Sequence, residues 1–586
     1  MGRKKRLLTK TSSFGKKGIP MKRKILPVIV ALILIVLIGG IWLGGKLIER
    51  YSYSNERADL DAYYQVSGEQ AAIILQDEMV EEKAIIRNGV CYFDLATVHK
   101  YFNEIFYADR TENLLLYTTA LETFRSVIGE SGYASDSDSG DYGYAISFTE
   151  NDVVYIAADY VKKFTNLSYY IYDRHVQVYT EWGSRQMAEV TRDTSVRERG
   201  GIKSPILCDL SQGDRVEVLE EMETWSKVKT EDSVIGYVEN KRLSDQTEEQ
   251  ETPVTDYTAP EYTSVSLDRK VSLGWHSIGG TAGNDTLESM VEGTIGMNVI
   301  APTWFSMIDN EGNFRSFASA DYVQRAHNMG LQVWGVLDNF NYRNETGAEV
   351  DEYQVLSVTS KRQRLVQGIT DTAVSLGLDG INIDFEQLGV DCETHYVQFL
   401  RELSVLCRAN GLVLSVDNYV PFNFNDHYRL DVQGQVVDYV IIMGYDEHWH
   451  GSGDPGSVAS IDYVSNGIAK TLEEVPPEKV VNALPFYTIL WRTEGAEVTD
   501  EYITIRNMED FLSRVNVTPE WNEETCQYYA EWTEGAATYQ IWIEDEESIR
   551  VKLNVMSAQQ IAGVAVWRLG YGTTGVWELI NAYVNS

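Results

Sequence analysis

The feature that most constrains the fold is an alternation of short apolar runs with helix-like stretches from Lys270 to the end of the chain. Strands separated by helices form parallel sheets whose faces are covered by the helices. Eight such units over about 315 residues predict an α/β TIM barrel. The eight runs lie at 271–277, 296–305, 331–339, 380–386, 412–420, 439–447, 480–488 and 563–570. The β-rich, Glu-rich segment at about 491–545 predicts an α+β insertion before the last strand.

Polar residues interrupt the fourth run, DGINIDFE, which ends at Glu386. Side chains alternate across a strand, so Asn382, Asp384 and Glu386 share one face. Three polar side chains inside a barrel are costly unless they hydrogen-bond one another and face a site. Neighbouring carboxyl groups cannot both ionise cheaply, so one keeps its proton to higher pH and can act as an acid. Because barrels place chemistry at the carboxyl ends of their strands, we predict an active site around Glu386.

This run resembles the DGxDxDxE motif of glycoside hydrolase family 18. The resemblance implies that Glu386 is the general acid and that Asp384 orients and stabilises the N-acetyl group of the substrate. Members of this family use the 2-acetamido oxygen of the substrate as nucleophile, which implies hydrolysis with retention. Asn382 stands where many members have Asp. We expect its amide to donate a hydrogen bond to Asp384 and to hold that group as an anion.

Two further segments are similar to the same family. Met443-Gly-Tyr-Asp446 resembles its MxYD segment, which implies that Tyr445 binds the acetamido carbonyl and that Met443 and Asp446 line the sugar site. Trp567 resembles the tryptophan that lies beneath the distorted sugar. The resemblance covers roughly half of the chain, from the linker to the end.

The substrate class follows from a narrower resemblance. APTWF, NIDFE, MGYDEHW and GVAVWRLG are similar to the subgroup found in spore-cortex and cell-wall hydrolases, which implies peptidoglycan or a chitin-like N-acetylglucosamine polymer as substrate. Trp275, Trp304 and Trp449 are candidate sugar-stacking residues, with core packing as the alternative for Trp275 and Trp304. The competing function is a lectin-like cell-wall protein that has lost catalysis. Such a loss usually falls at the catalytic glutamate, and Glu386 is present.

The first 45 residues predict a membrane anchor. Residues 1–24 hold ten Lys or Arg and no acid, and residues 25–45 carry no charge. A helix of that length spans about 30 Å, the thickness of a hydrocarbon core. The positive-inside rule places the basic tail in the cytoplasm and the catalytic domain outside, as in a Gram-positive-type bacterium. The alternative is a cleaved signal peptide, which needs a shorter apolar run and a small-x-small cleavage site.

Four segments separate the anchor from the barrel. Residues 46–80 are predicted to be a stalk, and 81–185 contain an internal repeat in which each copy has the order strand, helix and two strands. That repeat resembles the α+β unit named after the N-terminal domain of copper amine oxidases. Residues 188–243 resemble a bacterial SH3 domain, which implies cell-wall peptide as a partner. Residues 244–262 read as an acidic linker leading to the barrel at 263–586.

The charge balance and the cysteines exclude several functions. Outside residues 1–24, 40 Lys or Arg stand against 87 Asp or Glu, so this surface repels phosphate backbones and nucleic acid is not expected as a partner. The five cysteines are far apart and lack metal-ligand spacing. No metal or cofactor is therefore expected.

Overall fold

The computed structural model describes residues 22–255, 257–259 and 261–586. Most of the predicted cytoplasmic tail, residues 1–21, lies outside the described residues. A helix covers Lys22–Tyr51. Its segment Leu26–Tyr51 is apolar and long enough to cross a membrane. A signal sequence near the N-terminus passes the same test of length and composition, so the helix is a candidate span.

The described chain forms two compact units. One holds the residues up to Cys91 together with Leu167–Thr255, and the other holds Tyr92–Asn166 together with Asp256–Ser586. In the first unit, a parallel pairing joins Gln70–Leu75 to His175–Tyr179. Antiparallel pairings add Glu78–Arg87 and Ser168–Ile171. The predicted stalk at 46–80 is therefore wrong in its last part, because Ala71, Ala72, Ile73 and Ile74 are buried in this sheet.

The remainder of the first unit is a small antiparallel β-structure around a core of its own. Its seven strands are Ser184–Glu189, Thr194–Arg197, Ile206–Leu210, Arg215–Glu221, Trp225–Thr230, Ile235–Glu239 and Thr247–Gln250. The last of these lies inside the predicted linker. It pairs with the first strand of this β-structure, so the linker at 244–262 is not entirely without regular structure.

The second unit contains the predicted barrel, and the prediction of the fold class is confirmed. Each strand pairs in parallel with the next, and the last strand pairs with the first, which closes the ring. The strands are β1 Val271–His276, β2 Val299–Pro302, β3 Gln332–Asp338, β4 Gly380–Asp384, β5 Val413–Tyr419, β6 Tyr439–Met443, β7 Val480–Pro485 and β8 Gly563–Trp567.

Helices cover the outside of the ring and an α+β insertion follows β7. The longer helices are Ala320–Asn328, Thr359–Leu376, Glu393–Asn410, Ile461–Thr471, Glu546–Gln559 and Thr574–Val584, with shorter ones at Leu287–Val291, Asn341–Thr346, Glu352–Leu356 and Leu430–Val436. The insertion comprises strands Tyr487–Glu494, Glu497–Thr504, Glu520–Asn522, Gln527–Glu534 and Ala537–Ile543 with helix Met508–Val515. A hairpin of Phe305–Met307 and Phe314–Ser316 follows β2.

The segment Tyr92–Asn166 contributes a second sheet to this unit. Its strands are Phe106–Asp109, Leu114–Thr118, Thr123–Val127, Gly132–Ala134 and Ser139–Asp141. Helices Leu95–Tyr101 and Ala158–Lys163 and strands Ser147–Glu150 and Val153–Ala157 complete the segment. The sheet contacts the barrel through Asp109, which accepts a hydrogen bond from the backbone N–H of Thr359 at 2.6 Å.

A buried ion pair joins the helices on either side of β4. Arg362 binds Glu402 through two hydrogen bonds of 2.8 and 3.1 Å, and both side chains are almost fully enclosed. Arg362 also donates to the carbonyl of Leu356 at 2.6 Å and to the Tyr107 hydroxyl at 3.3 Å. Gln398 donates to the same carboxylate at 2.8 Å. The pair thus ties helix Thr359–Leu376 to helix Glu393–Asn410 and fixes the strand between them.

Replacing Glu402 with Gln is expected to destabilise the barrel strongly. The change leaves the Arg362 guanidinium buried without its counter-charge, which typically costs about 3–5 kcal/mol. The midpoint of chemical denaturation of the full-length protein in detergent measures the effect. A control is Glu311→Gln, because the Glu311 carboxylate binds Lys361 at 2.8 Å but is 57% exposed. Exposed pairs contribute about 0–1 kcal/mol, so equal shifts for both variants would contradict the assigned importance of the buried pair.

Candidate active site

A cavity of about 280 Å³ opens at the carboxyl ends of the barrel strands. Seven of the predicted site residues line it: Trp304, Asp384, Glu386, Met443, Tyr445, Asp446 and Trp567. Asn382 is fully buried one layer below, on the same face of β4 as Asp384. Trp449 is not among the lining residues, and its side chain is 57% exposed.

Glu386 is held by contacts on both sides of its backbone and by one contact to its carboxyl group. Asn339 accepts from the backbone N–H of Glu386 and donates to its carbonyl, both at 2.9 Å. The hydroxyl of Tyr419 donates to Oε2 of Glu386 at 2.8 Å. Burial raises the pKa of Glu386, and the neighbouring Asp446 and Asp338 add to the rise, while the Tyr419 hydrogen bond opposes it. With Oε2 accepting from Tyr419, the other oxygen is left to carry a proton towards the cavity.

Asp384 has the poorest hydrogen bonding of the site carboxyl groups. Within the described part of the chain, no donor lies within hydrogen-bond distance of its buried Oδ1 atom. Burial raises the pKa of Asp384 well above its ordinary value, and the carboxyl groups of Glu386, Asp417 and Asp338 raise it further. A buried acceptor without a donor costs about 1–3 kcal/mol. Asp384 is therefore prepared to accept an N–H group from a ligand.

The expected hydrogen bond from Asn382 to Asp384 is not present. The Asn382 amide donates instead to Asp417 Oδ1 at 2.9 Å and to Ser415 Oγ at 3.0 Å. Both acceptors lie on β5, because β4 and β5 pair with Asn382 opposite Ser415. The expectation was wrong because Asn382 bonds to its neighbours across the sheet, on β5, and not to Asp384 on its own strand.

Asp446 and Tyr445 lie together beyond the end of β6. The Tyr487 hydroxyl, at the start of the insertion, donates to Asp446. Burial raises the pKa of Asp446, while that hydrogen bond and the charge of His450 lower it. Tyr445 lines the cavity with its ring centroid 6.3 Å from that of Tyr487. The insertion thus contributes to the site by holding Asp446.

The tryptophans fall into three environments. Trp567 and Trp275 form an edge-to-face pair with centroids 6.0 Å apart, and both line the cavity. Trp304 is 1% exposed and donates its indole N–H to Asn284 at 2.8 Å, so it contributes to the core as well as to the cavity wall. Trp449 offers an exposed ring on the loop after β6.

Several polar residues of the cavity were not identified from the sequence, among them Asp338, Asp417, Tyr419 and Arg315. Asp417 and Tyr419 alternate with Ser415 on β5 in the same period of two that singled out β4. That periodicity was the available signal. Arg315 comes from the hairpin after β2 and forms an ion pair with Glu345 at 2.6 Å. Among the described residues, no cluster of His, Cys, Asp and Glu has the arrangement of a metal site.

Family comparisons agree with this geometry. Residues 344–572 match the model of glycosyl hydrolases family 18, and residues 192–244 match the bacterial SH3 domain. Over these residues the chain is similar to family 18 glycosyl hydrolases and to bacterial SH3 domains.

Among individual proteins, the chain is similar to YdhD of Bacillus subtilis (strain 168), a sporulation-specific glycosylase by name, with 28% identity over 39% of this chain and 56% of that protein. It is 26% identical to the cortical fragment-lytic enzyme of Bacillus anthracis, over 39% of this chain and 54% of that enzyme. The chain thus spans about half the length of these relatives. The crystal structure of the Bacillus cereus spore cortex-lytic enzyme SleL is 20% identical, covering 55% of this chain and 75% of that chain with a TM-score of 0.48.

Replacing Asp384 with Asn is expected to stabilise the protein at neutral pH. The raised pKa of Asp384 means that its contribution to stability is fully present below its ordinary value of 3.8 and is lost as pH rises through the folded-state pKa. Asn does not ionise, so the melting temperature of Asp384→Asn should exceed that of the wild type by several degrees at pH 7, and the gap should shrink towards pH 4.

The control for this measurement is Asp391→Asn, because Asp391 is exposed in the short 3-10 helix Val390–Cys392 after β4. A surface change of this kind alters stability by about 0.5 kcal/mol or less at either pH. A wild type that is more stable than Asp384→Asn at pH 7 would contradict the assigned cost of the buried carboxyl group.

Proposed function

We propose that this protein is a glycoside hydrolase that cleaves a β-linked, N-acetylglucosamine-containing glycan by substrate-assisted, retaining catalysis. The observation that carries the proposal is the pairing, in one cavity, of Glu386 with a hydrogen-bonded oxygen and Asp384 with an unpartnered one. The first group suits proton donation to a leaving oxygen. The second suits an N–H donor such as that of an acetamido group.

The roles of the residues follow from these positions. Glu386 protonates the glycosidic oxygen from the carboxyl oxygen that Tyr419 does not occupy. Asp384 accepts the acetamido N–H of the substrate and turns the acetamido oxygen towards the anomeric carbon. The bond to the leaving sugar breaks as that oxygen attacks, and water then opens the cyclic intermediate with Glu386 acting as base.

The remaining predicted residues complete the sugar site. Tyr445 hydrogen-bonds the acetamido carbonyl, Met443 and Asp446 line the site, and Trp567 supplies an apolar face beneath the ring. Trp304 contributes to the cavity wall, whereas Trp449 would reach only a more distant part of a long glycan. Asn382 lies below the sugar and acts through its hydrogen bonds to Ser415 and Asp417.

Peptidoglycan is the favoured glycan. The relatives named for sporulation and cortical fragment lysis support this choice. The bacterial SH3 domain supports it too, since we propose that this domain binds cell-wall peptide. A lectin-like protein without catalysis is less well supported, because both Glu386 and Asp384 are in place in the cavity.

Replacing Glu386 with Gln is expected to abolish hydrolysis and leave the fold intact. The amide cannot protonate the leaving oxygen, and general acid–base catalysis is worth about 10²–10⁴-fold. Product mass analysis after digestion of purified peptidoglycan and of chitin oligomers measures the activity of the full-length protein in detergent. If the variant keeps more than roughly a tenth of the wild-type kcat, Glu386 is not the acid.

Cellulose oligomers provide the matched substrate control in the same experiment. They carry a hydroxyl group where the acetamido group stands, so the internal nucleophile is missing. Cleavage of cellulose and chitin oligomers at comparable rates would exclude substrate assistance. A wild type that binds chitin oligomers and cleaves none of the glycans would support the lectin-like alternative.

We further propose that helix Lys22–Tyr51 anchors the protein, with the basic tail in the cytoplasm and the catalytic domain outside. The apolar length of the helix and the charge of residues 1–24 support this topology. Protease treatment of intact cells should release the catalytic domain, as followed by an antibody against the barrel. Protection of the barrel in intact cells, with digestion only after lysis, would overturn the topology.

A further inference from the structure

Three aspartates form one row across the inside of the barrel. In the register of β3 and β4, Asp338 lies opposite Asp384. In the register of β4 and β5, Asn382 lies opposite Ser415 and Ile383 opposite Val416, which brings Asp384 beside Asp417. The backbone therefore places three carboxyl groups side by side at the carboxyl ends of consecutive strands.

The three carboxyl groups receive very different numbers of hydrogen bonds. Asp338 accepts four, from the Ser306 hydroxyl, the backbone N–H groups of Phe340 and Asn341, and the Asn341 amide, at 2.7–3.1 Å. Asp417 accepts from Asn382 at 2.9 Å. Asp384 Oδ1 accepts none within the described chain. Because donors stabilise the anion, Asp338 holds a charge most readily, and Asp384 and Asp417 compete for a proton.

Asn382 is fixed as a donor towards Asp417. The indole N–H of Trp275 donates to Asn382 Oδ1 at 3.1 Å. An indole nitrogen can only donate, so this contact identifies the amide oxygen and directs the NH₂ group to Ser415 and Asp417. Asn382 cannot reverse without losing all three contacts. Asp417 therefore has a permanent, oriented donor, which makes it the better-defined member of the pair.

We propose that Asp417 is a positioning residue that shares one proton with Asp384 and takes up that proton when substrate binds. The inference rests on the proposed function. In the empty site the proton lies on Asp384, whose Oδ1 lacks a donor. When the acetamido N–H of the substrate reaches Asp384, the proton moves to Asp417, and Asp384 becomes the anion that accepts the N–H. The net charge of the pair stays at −1 throughout.

The surrounding groups are compatible with one shared proton. Glu386 and Asp446 face the pair from the cavity, and Asp338 faces it from β3. Among the described residues, the remaining titratable groups whose electrostatic interactions involve the pair are Tyr396, Tyr419, Tyr428 and Tyr445. Tyr419 and Tyr445 line the cavity, and burial raises the pKa of all four hydroxyls. The pair therefore has only carboxyl groups with which to exchange a proton at neutral pH.

The decisive experiment exchanges the side chains of Asn382 and Asp417. Asp417→Asn keeps an acceptor for Asn382 but removes the shared acid, so kcat should fall about tenfold or more with little change in KM, and the acidic limb of the pH–rate profile should shift. The double variant Asn382→Asp with Asp417→Asn places one carboxyl and one amide in the same contact. It should recover kcat to within about threefold of the wild type and restore the acidic limb.

Two results would overturn the proposal. One is an Asp417→Asn variant whose kcat and pH–rate profile equal those of the wild type. The other is a double variant as impaired as Asp417→Asn. A residue needed only for folding would lower kcat through lost protein, with the acidic limb of the remaining activity unmoved, and this outcome would also reject the positioning role.

An infrared measurement separates this proposal from the proposed function. In the infrared spectrum of the full-length protein followed against pH, one protonated-carboxyl band besides that of Glu386 should be lost in Asp384→Asn. The same band should shift in frequency and in its pH dependence in Asp417→Asn if the two residues share one proton. A wild type that cleaves no glycan but shows this shared band would reject the proposed function and retain the pair. A band that persists unchanged in Asp417→Asn would overturn the pair whatever the activity.

Discussion

Burial of carboxyl groups at one end of the barrel is the constraint on which the site depends. Asp338, Asp384, Glu386 and Asp417 all line one cavity, and burial raises the pKa of each of them. The barrel stabilises these groups unequally. Asp338 has four donors, whereas Asp384 Oδ1 has none among the described residues. A buried acceptor without a donor destabilises the protein by about 1–3 kcal/mol, and a ligand that donates a hydrogen bond to it removes this cost.

The scaffold around β4 is correspondingly rigid. The strand lies between two helices that a buried Arg362–Glu402 pair connects, and Tyr107 of the segment Tyr92–Asn166 hydrogen-bonds the same guanidinium. Asn339, at the end of β3, binds both the backbone N–H and the carbonyl of Glu386. These two hydrogen bonds hold the Glu386 backbone in one position, as proton transfer from its carboxyl group would require. The segment before the barrel is thus part of the support of the site.

The charges and rings of the cavity suit a neutral ligand better than an anion. Its wall is rich in carboxyl groups, and its cation Arg315 is already paired with Glu345. Trp275 and Trp567 offer aromatic surface in the same cavity. A ligand with apolar ring faces, hydroxyl groups and one amide matches this combination of surfaces, whereas a phosphate would meet like charge.

The sequence by itself determined the ring of eight strands, because apolar runs of strand length alternate with helices. It also determined Asn382, Asp384 and Glu386 as a set, because the period of two puts them on one face of a strand. Only the tertiary structure decided what those residues contact. Asn382 binds Asp417 on the next strand and not Asp384 on its own, since inter-strand register is not encoded in local spacing. For the same reason, only the alignment of β3 with β4 shows that Asp338 lies beside Asp384. The sequence offered Trp304 and Trp449 alike as candidate sugar-stacking residues. Only their burial in the structure shows that Trp304 lies in the cavity wall and Trp449 on an exposed loop.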